Sequence, residues 1–469
     1  MPGSPRWPPG VHRLRPDDHF MILTETAETP IQLSALLTLD VGTGDRRSVF
    51  DHLRAHLVER LANTPLLAVL QQAPDGYDSD VWVDVTECDV DCSFERVRDP
   101  LSDAQLDAVA AVSSMRRLDL ARAPFRVIVF DDVGPGPGAT RRSAVMITVH
   151  HCVTDGVGLQ NLLARLADDA PSATGPRVAG RPLPDDQWLA AAVARFEAEA
   201  PAREAKRALL EQARDALWSS ERAPRARTPV LKMSGPTSGE RAYARLSLPL
   251  ERVRTVAHSL DSTINDILLA LASQAVRQSL IDLGDLPETP IVVNSARSYR
   301  RPEHGEFGNR IVALHPHLAT DIEDPLERLR AIKASMAAER DRTQWDEAML
   351  DQLEVPYGPR DRRAKYAERA LRGAPALPGN VTVSNVPGPA EPRCFAGMRQ
   401  LSNHPVPLLG NGRFLNITSR RSGDWLDLGV MADPTKLPDV QQVAASIGAA
   451  LGTYESCART RGRQHDRPI

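Results

Sequence analysis

The chain has 469 residues, and its 57 basic and 61 acidic side chains give a net charge of −4. Because a domain usually holds about 100–200 residues, this length predicts roughly two to four domains. A hydrophobic content of 42% excludes a disordered chain. The near balance of charge gives no reason to expect nucleic acid as a partner.

The cysteines and the apolar runs narrow the class of protein further. The five cysteines are scattered, and Cys88-x3-Cys92 has no second pair of ligands. We therefore expect neither a disulfide scaffold nor a zinc site. No apolar run approaches the about 18 residues that span a membrane. The segment before Pro16 lacks the apolar core of a secretory signal, so the sequence predicts a cytoplasmic protein.

The first half of the chain combines short apolar runs with helical spacing. Leu33–Leu39 predicts a strand, and His52–Leu61 predicts an amphipathic helix. The runs Phe125–Phe130 and Ala144–Val149 flank a segment rich in glycine and proline, which predicts a hairpin of two buried strands. Leucines at helical spacing over Leu159–Leu166 predict a helix directly after the second of these strands.

A change in composition separates this half from the next. A helix rich in alanine, glutamate and arginine is predicted over Gln187–Trp218, and a basic, proline-rich strip follows over Ser219–Pro229. We interpret these segments as a connection. The predicted division is an N-terminal subdomain at 1–185, a connection at 186–236 and a C-terminal subdomain at 237–469.

The second half also mixes strands with helices. One helix is predicted to begin at Leu250, and a second begins after a cap at Ser262 or Thr263. Further helices are predicted between the strands at Ile311–Leu314 and Val381–Ser384, and after Pro438. The predicted strands are Ala242–Leu248, Ile291–Asn294, Ile311–Leu314, Val381–Ser384, Phe414–Thr418 and Leu426–Met431.

The strongest local signal is the run His150-His151-Cys152-Val153-Thr154-Asp155-Gly156, which begins where the second hairpin strand ends. Adjacent residues of a strand point to opposite faces, so both histidines can face one cleft only if the strand has ended. We expect one functional and one structural histidine. The alternative is that Asp155 merely caps the next helix and that both histidines belong to the core.

This run matches the His-His-x-x-x-Asp-Gly motif of the CoA-dependent acyltransferase superfamily, which includes chloramphenicol acetyltransferase and the condensation domains of peptide synthetases. Further segments make nearly the whole chain resemble the bacterial wax ester synthase/acyl-CoA:diacylglycerol acyltransferase family. The segments are Leu14–Phe20 with Glu25 and Pro30, Thr263–Asp266, Asn294–Arg297, Phe307–Arg310, Asp324–Leu329 and Val383–Pro389. The most discriminating of them is Val383–Pro389.

The resemblance implies an α/β fold with two chloramphenicol-acetyltransferase-like subdomains, each a mixed sheet with helices, around a central cleft. It also implies O-acyl transfer from acyl-CoA to a long-chain alcohol or diacylglycerol, without a covalent acyl-enzyme. His151 matches the family's general base. An imidazole with an ordinary pKa of about 6.5 suits proton removal near neutrality, whereas the carboxyl of Asp155, at about 3.9, is too acidic.

The resemblance also implies residues that shape the site. Asp155 would pair with an arginine, for which Arg297 is our candidate. Gly156 would let the backbone turn tightly beside the two histidines. Asn265 and Asp266 match an Asn-Asp motif of the family, although an amide and an acid also suit the first turn of any helix.

Two segments are implied to bind substrate. The first contains Pro124 and Phe125, and the second contains Ser384, Asn385, Pro387 and Gly388. For the second segment, a plain turn after a strand is the alternative interpretation.

Two departures from the family's pattern leave the substrate open. Pro124-Phe125-Arg126 stands where the family has Pro-Leu-Trp, and Pro30-Ile31-Gln32 stands where it has Pro-Met-His. The first is closer to condensation-type relatives. An acyltransferase that acts on a natural-product hydroxyl or amine therefore stays an alternative, and a non-catalytic lipid-binding relative is another.

The expected ligands are acyl-CoA as a co-substrate and an apolar acceptor, with no bound cofactor. His315 and His317 would share a strand face but lack a third metal ligand, and Cys152 is expected to be a buried apolar residue. A lipid acceptor implies peripheral contact with a membrane or lipid droplet. The arginine-rich connection with Trp188 and Trp218 is a candidate surface for this contact, and a solvated linker is the alternative.

Overall fold

The structure is a computed structural model that describes residues 8–42, 49–61, 64, 66–73, 80–85, 93–134, 141–170, 179–202, 204–205, 208–209, 212, 227–342 and 378–465. The described residues form two six-stranded sheets, one three-stranded sheet and the helices that pack on them. The predicted α/β class with two sheet-containing halves is confirmed.

The strands are numbered along the chain. They are β1 (Val11–Arg13), β2 (Gln32–Gly42), β3 (Ala68–Gln71), β4 (Val81–Asp84), β5 (Phe94–Val97), β6 (Phe125–Phe130), β7 (Arg141–His150), β8 (Ala242–Pro249), β9 (Val293–Ser298), β10 (Ile311–Leu314), β11 (Val381–Val386), β12 (Cys394–Phe395), β13 (Met398–Val406), β14 (Leu415–Ser422) and β15 (Trp425–Ala432).

The α-helices are numbered in the same way, and a short 3₁₀ helix lies at Pro302–His304. None of the described helices is both long enough and apolar enough to cross a lipid bilayer. The helices are α1 (Pro16–Leu23), α2 (Val49–Leu61), α3 (Asp103–Ser114), α4 (Gly156–Leu166), α5 (Asp185–Ala198), α6 (Leu250–Ser259), α7 (Ile264–Asp282), α8 (Pro325–Arg342) and α9 (Val440–His465).

The N-terminal sheet has the strand order β12-β13-β2-β7-β6-β5. Its centre contains the predicted hairpin, in which β6 and β7 pair antiparallel with Phe125 opposite Val149. Every residue of β6 is buried, as are the last eight residues of β7. Burial on both faces explains why these strands are continuous apolar runs in the sequence. Strand β7 ends at His150, and α4 begins six residues later.

The C-terminal sheet has the strand order β10-β9-β11-β14-β15-β8. Strand β11 lies parallel to both of its neighbours, β9 and β14, whereas the other pairs are antiparallel. The strand predicted at Ile291–Asn294 begins two residues later and continues to Ser298, so Arg297 is a strand residue. Helix α7 begins after Thr263, one of the two predicted caps.

Two strands cross from the second half of the chain into the N-terminal sheet. Strand β13 pairs antiparallel with β2, with Val406 opposite Ser34, and β12 extends the sheet at its edge. The predicted subdomain at 237–469 is therefore not self-contained. No apolar pattern predicted β13, because Asn403 and His404 are polar although both are buried. Strands in a sandwich interior usually carry apolar residues at such positions.

Apolar packing joins the two halves. Residues of the N-terminal sheet, including Leu36 and Met146, share one buried cluster with Tyr243 and Met431 of the C-terminal sheet. The backbones approach so closely that a Cβ on Gly429 would overlap the carbonyl oxygen of Pro405. Side chains from both halves can therefore line one cavity.

The predicted connection is only partly described. Its helix corresponds to α5, which ends at Ala198, and Trp218 lies outside the described residues. Trp188 is 2% exposed and packs with Val11 and Val83 of the three-stranded sheet. It therefore cannot belong to an exposed membrane-binding surface. Cys88, Cys92 and most of the glycine- and proline-rich hairpin turn also lie outside the described residues.

Candidate active site

A cavity of about 500 Å³ lies between the two halves, and we call it the central cavity. A mostly apolar wall with a few polar groups is typical of small-molecule sites. Its apolar wall includes Met21, Leu33, Leu314 and Met336. Its polar and small residues include His151, Gly156, Asn265, Arg297, Ser384 and Arg420.

His151 is the histidine that lines the central cavity. It follows the last residue of β7, and its backbone N–H donates to the carbonyl oxygen of Ile31 at 2.9 Å. Burial lowers the pKa of the imidazole below its ordinary value of 6.5, against an opposing effect of the Asp155 charge. The side chain is therefore neutral at neutral pH and able to accept a proton.

His150 lies on the opposite side of the strand end and is completely buried. Its Nδ1 accepts the backbone N–H of Cys152 at 3.1 Å, so the proton of the neutral ring belongs on Nε2, which is 3.4 Å from Glu25 Oε1. Burial alone would raise the pKa of the Glu25 carboxyl, but contacts with His150 and Arg117 hold it below its usual value. The environment of His150 is therefore that of a buried structural residue.

Asp155 holds the turn that follows the histidines, and we call residues 150–158 the motif turn. It is the N-cap of α4, where Oδ1 accepts the backbone N–H of Gly158 at 2.8 Å. Its Oδ2 accepts hydrogen bonds from Arg300 Nη2 at 2.9 Å and from the backbone N–H of Arg310 at 2.8 Å. With both oxygens engaged, the carboxylate positions the turn.

The arginine that pairs with Asp155 is Arg300, and our prediction of Arg297 was wrong. The side chains of Arg300 and Asp155 are 2% and 1% exposed. Arg297 lies within β9, opposite Val312 of β10, and lines the central cavity. Arg300 lies beyond the end of that strand, where its side chain reaches the start of α4 and also binds the carbonyl oxygens of Gly305 and Phe307.

The motif turn needs two glycines for steric reasons. A Cβ on Gly156 would lie 3.0 Å from Cγ2 of Val386. A Cβ on Gly158 would overlap Oγ1 of Thr154 and lie 2.5 Å from the carbonyl oxygen of Glu306. Gly156 is not among the residues with positive φ, so our conformational argument for it was wrong. Close approach to the C-terminal half is the reason.

Asn265 and Asp266 separate into different roles. Asn265 lines the central cavity from the first turn of α7. Asp266 instead completes a capping box, in which its Oδ2 accepts the N–H of Thr263 at 2.9 Å while Thr263 Oγ1 accepts the N–H of Asp266 at 3.1 Å. The structural alternative therefore accounts for Asp266.

The segment at the end of β11 reaches the cavity with three of its four predicted residues. Ser384, Asn385 and Pro387 line the wall, and Asn385 Oδ1 accepts a hydrogen bond from Oγ of Ser419 at 2.9 Å. Gly388 does not line the cavity. A Cβ there would overlap the carbonyl oxygen of Arg421, so this glycine permits close packing of two backbones.

Pro124 and Phe125 do not line the central cavity, and their predicted role in substrate binding was wrong. The carbonyl oxygen of Pro124 accepts the backbone N–H of His150 at 2.9 Å. Phe125 is 2% exposed and packs edge-to-face on Phe94, with 6.5 Å between ring centroids. Arg126 donates to the carbonyl oxygens of Arg116 and Arg117. The segment therefore braces the sheet beneath the histidines.

Asn309 links His151 to helix α1, a role that the sequence analysis missed. Its Nδ2 donates to the carbonyl oxygen of His151 and to Asp18 Oδ1, each at 2.7 Å. Burial raises the pKa of Asp18 to about 7, although hydrogen bonds from Asn309 oppose the shift. Asp18 and Asn309 belong to the family-like segments Leu14–Phe20 and Phe307–Arg310, but no local pattern indicated that these two segments meet.

The remaining candidates carry no chemistry in the described residues. No group of histidine, cysteine and acidic side chains that could hold a metal occurs among them. His315 and His317 follow β10 and donate backbone N–H groups to Glu339 and Ser335. Cys152 is 1% exposed in the apolar core, and burial raises the pKa of its thiol well above the ordinary value.

Comparison with protein families matches both halves of the chain. The wax ester synthase/diacylglycerol acyltransferase catalytic domain matches residues 14–268, and the C-terminal domain of the same family matches residues 307–455. A Mycobacterium tuberculosis protein named as a diacylglycerol O-acyltransferase is 27% identical over 463 residues, which cover 94% of this chain and 99% of that protein.

Solved structures share the fold. A wax ester synthase/diacylglycerol acyltransferase from Marinobacter aquaeolei superimposes with a TM-score of 0.66 at 21% identity, over 95% of this chain and 99% of that one. The starter condensation domain of rhizomide synthetase, in complex with C8-CoA, gives a TM-score of 0.54 at 14% identity, over 96% and 95%.

Proposed function

The chain belongs to the wax ester synthase/diacylglycerol acyltransferase family of acyltransferases, and from this premise we propose that it transfers a fatty acyl group from acyl-CoA to the hydroxyl of a long-chain alcohol or of diacylglycerol. The observation that carries the proposal is the neutral imidazole of His151 on the wall of a largely apolar cavity between two halves. An apolar wall suits an acyl chain and an apolar acceptor.

In the proposed reaction His151 acts as the general base. The hydroxyl oxygen of the acceptor attacks the thioester carbonyl carbon while the imidazole takes the hydroxyl proton. The tetrahedral intermediate then collapses with cleavage of the carbon–sulfur bond, and the imidazolium returns the proton to the departing thiolate. A positioned base of this kind accelerates a reaction by about 10²–10⁴-fold.

The surroundings of His151 support direct attack without an acyl-enzyme. Its imidazole makes no side-chain hydrogen bond to a hydroxyl or thiol of the described residues, as an activated nucleophile would require. The neighbouring thiol of Cys152 lies in the apolar core with a raised pKa. In this proposal acyl-CoA is a co-substrate, and the chemistry calls for no bound cofactor or metal.

His150 and Asp155 have supporting roles in this proposal. His150 is completely buried beside Glu25, and Asp155 is clamped by Arg300 and by backbone N–H groups. Neither group is available to accept the acceptor's proton. Both hold the motif turn in the conformation that presents His151 to the cavity, and we therefore assign them as positioning residues.

The location of the enzyme is part of the proposal. We propose a cytoplasmic protein that meets its lipid substrates at the surface of a membrane or lipid droplet. The chemistry of the substrates supports this, since a long-chain acceptor partitions into such surfaces. Trp188 is buried and gives no support to the connection as the contact surface.

A product assay separates this proposal from its alternatives. Purified protein is incubated with palmitoyl-CoA and, in turn, hexadecanol, diacylglycerol and hexadecylamine, and both thiol release and products are measured. We expect esters of the alcohol or of diacylglycerol, formed in amounts equal to the released thiol. Amide as the main product would support a condensation-type enzyme, and absence of acyl transfer to every acceptor would support a non-catalytic relative. Either result would overturn the proposal.

A further inference from the structure

A buried arginine of the C-terminal sheet faces the central cavity. Residues alternate between the two faces of β14, so that Asn416, Thr418 and Arg420 line the cavity while Ile417 belongs to the apolar core on the other side. Arg420 is 2% exposed. Its guanidinium is therefore enclosed by protein and by the cavity.

The protein satisfies only one edge of this guanidinium. Its one hydrogen bond to a described residue runs from Nη1 to Oδ1 of Asn403, at 2.7 Å. Nε is buried and has no acceptor among the described residues. Arg420 also makes no ion pair with any residue that the structure describes. Nε and Nη2, which form the fork that matches a carboxylate, thus remain without an acceptor.

The acidic group whose charge acts on Arg420 is already hydrogen-bonded to other residues. Asp427 attracts the Arg420 charge, but its Oδ1 accepts Oγ–H of Ser247 at 2.6 Å and its Oδ2 accepts the N–H of Asn403 at 2.7 Å. Burial lowers the pKa of His404 to about 4, so this neighbour is neutral near pH 7. These contacts serve to join β13 to the C-terminal sheet.

Arg420 carries its positive charge in this setting. Burial lowers its pKa to about 10, which still leaves the guanidinium protonated near neutrality. A buried cation without a directly bonded anion is costly, because the desolvation of a charge is repaid only by a well-placed partner. A ligand in the cavity can supply that partner.

We propose that Arg420 binds a carboxylate of the substrate, so that the enzyme acts on a substrate with a carboxylate in addition to its reacting hydroxyl or thioester. The inference rests on the proposed acyl transfer. A carboxylate bears one charge and two coplanar oxygens, which match one guanidinium fork. The phosphates of CoA carry several charges, and Arg297, Arg340 and Arg413 also line the cavity. The choice of a carboxylate therefore depends on the fork of Arg420, whose two N–H groups match two coplanar oxygens. The carboxylate belongs either to the acceptor, as a hydroxy acid, or to the acyl chain, as a dicarboxylic acyl group.

A binding experiment tests the site without any need for catalysis. Calorimetric affinities of the full chain for dodecanoate and for dodecanol are compared in the wild type and in Arg420→Gln. The substitution is expected to weaken dodecanoate binding relative to dodecanol by about 30-fold, typical for the loss of hydrogen bonds to a charged group. Arg420→Lys keeps the positive charge without the fork, and its relative affinity for dodecanoate should fall between those of the wild type and Arg420→Gln. It keeps the test informative if the glutamine variant folds poorly.

Arg421 provides the matched control. It is the next residue of the same strand, does not line the cavity, and donates from Nε to the carbonyl oxygen of Gly423 at 3.1 Å. Arg421→Gln removes the same charge from the opposite face, and we expect the relative affinity for dodecanoate to stay within about 3-fold of the wild type. An equal loss in both variants would overturn the proposal, since it would reflect general electrostatics.

Two kinetic arms identify the source of the carboxylate. One pairs palmitoyl-CoA with ω-hydroxy acids of increasing length and their methyl esters, and the other pairs dodecanol with a dicarboxylic acyl-CoA and its methyl ester. Loss of the preference for the free acid in Arg420→Gln, in either arm, supports the proposal and names the source. A rise of KM for acyl-CoA in both arms, with the preference unchanged, would show that Arg420 binds CoA and would overturn it. A lack of transfer in both arms would instead contradict the proposed function, and dodecanoate binding would still be measurable.

Discussion

The two walls of the central cavity differ in how a buried charge on each of them is bonded to the protein. In the motif turn, both oxygens of Asp155 are engaged by Arg300 and by backbone N–H groups, and His150 lies between Cys152 and Glu25. On the opposite wall, Arg420 lines the cavity, and its Nε has no acceptor among the described residues. A closed network preorganises catalytic geometry, whereas open donors await a ligand. In the two proposals, the N-terminal wall carries out the chemistry and the C-terminal wall selects the substrate.

The largest effect should come from opening the closed network at Arg300. Arg300→Ala leaves the buried carboxylate of Asp155 without its ion pair, and we expect a loss of about 3–5 kcal/mol in the free energy of unfolding. Arg297→Ala removes an arginine from the cavity wall and should change stability by less than about 1 kcal/mol. Urea denaturation of both variants measures the difference. Equal losses would contradict the assignment of Arg300 as the partner of Asp155.

A second contrast lies within the motif turn itself. In Gly158→Ala the new Cβ meets a backbone oxygen, so we expect a loss of about 3 kcal/mol. In Gly156→Ala the Cβ meets the side chain of Val386, which can shift, and the loss should be about 1 kcal/mol. Thermal unfolding measures both. If Val386→Ala fails to restore stability to Gly156→Ala, the contact between the two walls is not the reason for this glycine.

A smaller effect, measured in the kinetics, is expected at Asn309. Asn309→Ala removes the hydrogen bond to the carbonyl oxygen of His151, and a bond of this kind contributes about 1 kcal/mol. We expect kcat to fall about 5-fold through poorer positioning of the base, with KM little changed. A rise in KM at constant kcat would indicate that Asn309 acts on substrate binding.

The smallest change concerns pH and needs no substitution. Burial lowers the pKa of His151, and the base is competent only when neutral, that is, above its pKa. The acid limb of kcat/KM should therefore titrate below the ordinary histidine value of about 6.5 and be flat from there to neutrality. An acid limb above that value would contradict the environment described for His151.

Local sequence patterns predicted the parts of the site that depend on neighbouring residues. The hairpin strands, the cap at Thr263 and the histidine run are examples, because apolar periodicity and capping act over a few residues. The partner of Asp155 depends on where β9 ends in space, and so Arg297 was chosen in place of Arg300. Strand β13 escaped prediction because its buried polar side chains Asn403 and His404 contact groups of the other sheet, which lie far away in the sequence. Phe125 was assigned from a motif, and its core position follows from tertiary packing.

The most direct test of the division between the two histidines is the turnover of His151→Ala with palmitoyl-CoA and the preferred acceptor. The imidazole lines the cavity, and its Nδ1 has no hydrogen-bond partner among the described residues, so the variant should unfold close to the wild-type temperature. Its kcat should fall by about 10²–10⁴-fold, the usual contribution of a general base. Turnover within about 3-fold of the wild type would contradict the assignment of His151 as that base.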